Sequence, residues 1–198
     1  ISLLPNSGGL DRVFDGLKGI VIPTDTAHDR IYLFPAGATR DDGAHCPFVP
    51  CFGPTSLLSG PDGAPAVGVF AVAGAASLPG LPPRPLSARL GDNLTLTGYE
   101  LDPIITPGRV THLTLHTIIG RPLRDGRDWK LFANLVGPDG ALAASAYGEQ
   151  LTPISWQEGD IYIAWFDLLP PMDLRPGLYT IEVGVFDSGS QTRLPITD

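Results

Sequence analysis

Two apolar segments near the end of the chain constrain the fold most strongly. In residues 178–186 the apolar side chains alternate with polar or small ones, which is the pattern of a strand with one buried face. Residues 161–168 are apolar on both faces, which is typical of an interior strand covered on both sides. A proline-rich connection joins the two segments. Together they predict a β-sandwich module, and this pattern alone assigns it no function.

The β pattern extends over the whole second half of the chain. Eight candidate strands are separated by turn signals at intervals of about ten residues, which indicates an antiparallel sandwich of jelly-roll type. The segments are 88–90, 94–101, 109–119, 129–136, 141–147, 161–168, 178–186 and 192–196. Pro138, Asp139 and Gly140 provide the turn of one hairpin.

The first part of the chain has a mixed pattern. Apolar residues recur at helical spacing between Leu10 and Leu17, which predicts a short helix over 10–17. Short strands are expected at 19–23, 30–35 and 66–73. The long interval 36–65 is predicted to be mostly loop. A small α/β segment is the expected result.

A proline-rich stretch divides the two patterns. Residues 79–85 contain four prolines, which predicts a stiff linker between separate parts of the chain. We therefore expect a small α/β segment at 1–85 and a β-sandwich domain at 86–198. The expected fold class is mostly β, with an antiparallel sandwich of about eight strands as its larger part.

Charge excludes several classes of partner. The 13 lysines and arginines stand against 21 aspartates and glutamates, for a net charge of -8. Nucleic-acid binding needs a basic face, so no nucleic-acid partner is expected, and attraction to an anionic membrane surface is not expected either. The start of the chain has no signal-peptide pattern and no segment is long enough to span a bilayer. We expect a piece of a longer protein, with membrane segments elsewhere in it.

Six motifs occur in a consistent order over residues 90–198. They are L-G-D-N-L-T-L-T-G-Y-E-L-D at 90–102, P-G-R-V-T-H-L-T-L at 107–115, L-F-A-N-L-V-G-P-D-G at 131–140, P-I-S-W-Q-E-G-D at 153–160, P-G-L-Y-T-I-E-V-G-V-F-D at 176–187 and T-R-L-P-I-T-D at 192–198. In these motifs the segment resembles the extracytoplasmic C-terminal domain of bacterial polytopic glycosyltransferases of the dolichyl-phosphate-mannose protein mannosyltransferase type.

The resemblance implies an accessory role. Such enzymes carry their catalytic acidic residue in a loop of the membrane part, and no residue here matches it, so no catalytic residue and no cofactor are assigned. The implied function is a non-catalytic extracytoplasmic domain, tethered through a parent membrane domain, that contacts a glycan or a polypeptide acceptor. Two alternatives remain open: a free carbohydrate-binding module of a secreted protein, and an enzyme with a site between the two parts.

Aromatic side chains are the candidate ligand contacts, because the C–H faces of a pyranose pack on flat rings as other apolar groups do. The candidates for carbohydrate binding are Trp129, Trp156, Tyr147 and Tyr99. The alternative is packing in the core, which is the expectation for Trp165 and Tyr179 because they alternate with aliphatic residues.

The only two cysteines, Cys46 and Cys51, follow His45 in a short proline-containing loop. A disulfide, a metal site and two free thiols are all compatible with this spacing. The extracytoplasmic location implied by the resemblance favours the disulfide. A metal would need ligands beyond His45, and no metal site is assigned.

Two further groups of polar residues have structural explanations. His112 and His116 fall on one face of a candidate strand, but their Cα atoms would lie about 13 Å apart, too far for two ligands of one zinc ion. Surface or packing histidines are therefore expected. The carboxylates near strand ends are Asp160, Asp167, Asp173 and Asp187. They lack the spacing of a calcium loop and are predicted to be solvated turn residues.

Overall fold

The computed structural model describes residues 18–24, 29–35, 56–72, 82–151 and 156–197. Within these ranges every regular element is a β-strand. The twelve strands are β1 (Gly19–Ile22), β2 (Arg30–Pro35), β3 (Ser56–Ser59), β4 (Pro65–Val72), β5 (Arg84–Leu90), β6 (Leu94–Leu101), β7 (Thr111–Ile119), β8 (Trp129–Val136), β9 (Leu142–Gln150), β10 (Ile161–Leu168), β11 (Thr180–Asp187) and β12 (Ile196–Thr197). This part of the chain contains no helix long and apolar enough to cross a bilayer.

The strands pair into three sheets, and every pair is antiparallel. The largest sheet has the order β1-β10-β7-β6-β5-β12. The two three-stranded sheets have the orders β11-β8-β9 and β2-β4-β3. The predicted fold class, mostly β with an antiparallel sandwich-like arrangement, is confirmed.

The main core lies between the six-stranded sheet and β11-β8-β9. On β8 the side chains of Trp129, Leu131 and Ala133 alternate into it, and Leu113 and Leu115 on β7 meet them from the other sheet. Alternation of this kind is what a half-buried strand requires. Full burial of a large apolar side chain stabilises a fold by roughly 1.5–3 kcal/mol, so this core provides most of the stabilisation.

A second, smaller core lies on the opposite face of the six-stranded sheet. There Ile163 and Trp165 of β10 pack with Tyr32 and Phe34 of β2. Burial raises the pKa of the Tyr32 phenol to about 12. Residues of β10 thus enter both cores, and Ile161–Leu168 is covered on both faces as its sequence predicts.

Strand β1 connects the first part of the chain to the sandwich. It pairs along β10, with Gly19 opposite Ala164 and Ile22 opposite Ile161. A Cβ atom on Gly19 would lie 2.5 Å from the carbonyl oxygen of Ile163, so only glycine fits at this close approach. The boundary at residue 85 stays a prediction, although a strand from segment 1–85 completes the sheet of segment 86–198.

Other differences from expectation are local. The interval 36–65, predicted to be mostly loop, includes the short strand β3, an edge strand whose sequence Ser-Leu-Leu-Ser shows no alternation and whose four residues are all exposed. Arg84 and Pro85, expected in the linker, begin β5, which is shifted in register against β6 between Pro85 and Ala88. The predicted helix over 10–17 lies outside the described residues.

Candidate functional site

Trp129 and Trp156 are part of the main core. Trp129 is 3% exposed, and its Nε1–H donates to a carboxylate oxygen of Asp125 at 3.0 Å. Trp156 is 2% exposed, and its ring packs on Tyr162 with the ring centroids 4.8 Å apart. Neither indole has an open face on which a sugar could stack. These two side chains therefore support the packing alternative.

The two candidate tyrosines lie on different sheets. Tyr99 on β6 is half-buried against the main core, and the Arg84 guanidinium lies 5.6 Å from its ring centroid. Tyr147 on β9 is 51% exposed and belongs to the outer face of β11-β8-β9. The four candidates therefore do not form one platform, and Tyr147 is the member that presents a ring to solvent.

Tyr147 belongs to an aromatic cluster that sequence reasoning missed. The cluster, here called the aromatic platform, consists of Phe132, Tyr147 and Phe186. The Phe186 ring centroid lies 5.8 Å from that of Phe132 and 5.5 Å from that of Tyr147. The signal was present in the sequence, because Trp129, Leu131 and Ala133 face inward and Phe132 between them must then face outward.

Glycine at position 184 makes room for the platform. Gly184 pairs with Phe132 across β11 and β8. A Cβ atom on Gly184 would lie 2.7 Å from two carbon atoms of the Phe132 ring, so the ring packs directly against the glycine backbone. This close approach explains how Phe132, although it faces away from the main core, is largely covered.

An arginine closes one side of the aromatic platform. The Arg193 guanidinium carbon lies 4.8 Å from the Phe132 ring centroid, and the Arg193 backbone forms an isolated bridge with Phe186. The turn leading to Arg193 is held by backbone bonds from Gln191 N to Asp187 O at 2.8 Å and from Asp187 N to Thr192 O at 2.9 Å. A cation over an aromatic face is attracted to it, which fixes both groups.

The register arranges polar groups on both sides of the rings. Three rows cross β11, β8 and β9 in order: Phe186, Lys130 and Gln150; Gly184, Phe132 and Tyr147; Glu182, Asn134 and Ser145. Ser145 Oγ donates to the Asn134 side-chain oxygen at 2.8 Å. The rings thus lie between hydrogen-bonding side chains, which is the composition of a site for a polar ligand that also has apolar faces.

An open pocket adjoins the Lys130 row. Its volume is about 460 Å³, and its lining residues are Lys18, Asp128, Lys130, Gly148, Glu149 and Gln150. Lys130 Nζ forms an ion pair with Asp128 at 3.0 Å. Two ammonium and two carboxylate groups balance one another in this pocket, so it offers donors and acceptors without a net charge.

Two aspartates stabilise the turn next to this pocket. Asp187 accepts hydrogen bonds from Ser190 Oγ at 2.5 Å, from Ser190 N at 2.9 Å and from Asp128 N at 3.0 Å. Asp128 accepts from the Ser188 hydroxyl and pairs with Lys130. Hydrogen bonds to the ionised form hold the pKa of each carboxyl below its ordinary value. The largest contribution comes from Ser190 for Asp187 and from Ser188 for Asp128.

These lowered pKa values predict a loss of stability in acid. A carboxyl whose pKa is lower in the folded state contributes stability that is complete above its unfolded pKa, about 3.9, and is lost as the pH falls through the folded value. We expect the free energy of unfolding, measured by urea titration, to fall as the pH is lowered below about 4, and to fall less in Asp187→Asn. Asp173→Asn, which makes the same charge change at an exposed turn, is the matched control. An equally steep decline in Asp187→Asn would contradict the assignment.

The two histidines have separate carboxylate partners. His112 Nδ1 lies 2.9 Å from Asp167 Oδ1, and His116 Nε2 lies 3.1 Å from Glu100 Oε1. Both occupy the face of β7 that points away from the main core. The described residues contain no group of three or more ligand side chains placed to hold one metal ion.

The prediction of solvated turn carboxylates is wrong for Asp160 and Asp187. Both are buried, and Asp160 accepts a hydrogen bond from Gln157 N at 2.9 Å. Each ties its own turn to the end of a strand, so backbone N–H groups replace water around the carboxylate. Asp167 is half exposed, consistent with expectation. Cys46 and Cys51 lie outside the described residues, so the disulfide stays a prediction.

Comparison of the chain with protein-family models, with curated proteins and with solved structures finds no significant match in any of the three.

Proposed function

We propose that this chain is a non-catalytic extracytoplasmic accessory domain of a membrane glycosyltransferase-like protein, and that it contacts a glycan through the aromatic platform. The observation that carries the glycan contact is the exposed ring of Tyr147 beside Phe186, on a sheet face whose neighbouring rows are polar. The proposed accessory role and location rest on the family resemblance of the motifs over residues 90–198.

The chemistry of the platform suits a saccharide. A pyranose has an apolar C–H face that packs on an aromatic ring and a rim of hydroxyl groups that need hydrogen-bond partners. Tyr147 offers the ring, while Asn134 and Ser145 on one side and Gln150 on the other offer donors and acceptors. From Asn134 to Lys130 the strand covers about 13 Å, which suits a short oligosaccharide lying along β8.

The charge distribution favours a neutral saccharide. The pocket beside Lys130 contains equal numbers of ammonium and carboxylate groups, and the row beyond Phe132 adds Glu182. An acidic saccharide would meet these carboxylates, and the net charge of -8 would oppose its approach. The ligand class is therefore an uncharged oligosaccharide.

Tyr147→Ala should lower glycan affinity at least about tenfold, because it removes the exposed ring and its stacking energy. The measurement is calorimetric titration with a neutral oligosaccharide selected by a glycan array. Tyr147→Phe keeps the ring and should bind nearly as the wild type does. Leu57→Ala, at a side chain of similar exposure on β3, is the matched control. Equal affinity of Tyr147→Ala and the wild type would remove the platform from the proposal.

A free carbohydrate-binding module of a secreted protein is the second candidate, and the same platform favours it. Both functions predict glycan binding, so titration does not separate them. The full length of the parent protein does: upstream hydrophobic helices support the accessory domain, and a secreted chain without them supports the free module. Failure to bind any glycan would remove the free module.

A further inference from the structure

Three loops at one end of the sandwich form a cluster of exposed apolar side chains, here called the apolar tip. Its loops are 102–110 between β6 and β7, 137–141 between β8 and β9, and 169–179 between β10 and β11. The exposed side chains are Ile104 and Val110 of the first loop, Leu169, Met172 and Leu178 of the third, and Leu142, the first residue of β9 after the hairpin turn. Met172 and Leu178 are 85% and 86% exposed. Soluble proteins seldom gather so many large apolar groups in one place without an interaction to satisfy.

Contacts between the loops make the tip one surface. Gly108 N donates to Pro170 O at 3.1 Å, and the Met172 side chain lies against Gly108, where a Cβ would be 2.3 Å from its sulfur. Loop 169–179 also reaches the hairpin, because a Cβ on Gly177 would lie 3.1 Å from Pro138. The three loops therefore form one continuous surface.

Prolines hold the tip in shape. They are Pro103, Pro107, Pro138, Pro170, Pro171 and Pro176. Each proline fixes one φ angle, so the loops lose less conformational entropy when their apolar side chains leave water for a binding partner. The apolar groups come from two of the loops and from the first residue of β9, and Met172 and Leu178 protrude furthest, at 85% and 86% exposed.

We propose that the apolar tip inserts into the interfacial region of a lipid bilayer with zwitterionic headgroups. A bilayer interface accepts protruding apolar side chains without requiring a matching shape, whereas a protein partner would need a complementary hollow. Charge supports this occupant: the three loops contain Asp102, Asp139 and Asp173 against Arg109 and Arg175. Such a nearly balanced tip suits a surface without net charge, and the net charge of -8 opposes an anionic one.

The test is cosedimentation of the chain with phosphatidylcholine vesicles. We expect the wild type to bind, and its bound fraction to be insensitive to salt, because apolar insertion and not ion pairing drives the association. Met172→Asp/Leu178→Asp should reduce partitioning at least about tenfold, since each replaces an inserted apolar group by a charge. Leu57→Asp/Leu58→Asp on β3, at comparably apolar exposed positions, is the matched control and should bind as the wild type does. Circular dichroism is used to check that each variant folds. If the double aspartate variant does not fold, Met172→Ser/Leu178→Ser is tested in its place.

Several results would overturn this inference. Absence of wild-type binding to phosphatidylcholine, or binding only to anionic vesicles, excludes insertion into a neutral interface. Equal binding by the Met172/Leu178 variant excludes the tip as the contact. A wild-type dimer that becomes a monomer in that variant assigns the tip to a second copy of the chain. The vesicles contain no saccharide, so Tyr147→Ala should bind them normally, and failure of the glycan proposal is distinguishable from failure of this one.

Discussion

A fragment of residues 82–198 will not fold cooperatively, although it contains the whole predicted sandwich domain. It lacks β1, whose Ile20, Val21 and Ile22 are at most 1% exposed and enter both cores through their pairing with β10. Their burial amounts to roughly 5–9 kcal/mol, comparable with the total stability of about 5–15 kcal/mol of a typical domain. The fragment also loses Tyr32 and Phe34, so Trp165 is uncovered.

The comparison uses urea unfolding of the fragment and of the full chain, followed by tryptophan fluorescence, with binding of an apolar dye as a second reading. The full chain with Val21→Asp should lose a similar amount of stability, because an unpaired charge enters a fully buried position. Ile31→Asp on β2 is the control, since Ile31 is well exposed. If the fragment unfolded cooperatively at the same urea concentration as the full chain, residue 85 would be a true domain boundary.

The periodicity of apolar residues was sufficient to predict the bounds of strands that are regular and lie inside a sheet. The bounds of β6, β8 and β10 agree with those predicted, and the apolar character of both faces of β10 foretold its position between two cores. The covering layer on its second face was not predictable from pattern alone. It depends on β1 and β2, which are separated from β10 by more than a hundred residues.

Edges and irregular positions were harder to predict. Trp129 and Trp156 lie at the margin of a strand and of a turn, and whether such a ring is buried depends on how the opposing sheet closes over it, which local sequence does not encode. The bulge in β9 between the partners of Lys130 and Phe132 brings Tyr147 beside Phe132, and no signal in the sequence specified that register.

The candidate site likewise contains a residue that the sequence pointed to and neighbours that only the folded sheet brings to it. Tyr147, one of the four candidates for carbohydrate binding, is exposed, while its neighbours Phe132 and Phe186 come from β8 and β11, strands that meet only in the folded sheet. Arg193 reaches the platform because a turn after Asp187 folds back along β11. Cross-strand neighbours of this kind determine what a sheet face can bind, and they follow from register rather than from any one segment.

Phe166→Ala should destabilise the protein by about 3–5 kcal/mol. Phe166 is 1% exposed in the main core and lies opposite Leu113 on β7, and its ring tip packs against Gly148 of β9, so it joins strands of both sheets. Removing the ring takes away its transfer energy and leaves a cavity that β-sheets on two sides cannot close.

In thermal unfolding this loss corresponds to a decrease in Tm of about 10 °C for a chain of this size. Ile118→Ala on the neighbouring strand β7 is the control. Because Ile118 is 40% exposed, this substitution should change the Tm little. Phe166→Leu, which keeps most of the apolar volume, should fall between the two. Because Gly148 of β9 also lines the open pocket, the Phe166→Ala cavity should loosen that edge of the sheet too. A Tm equal to that of the wild type would mean that the two sheets do not share this core, and the sandwich arrangement would then have to be abandoned.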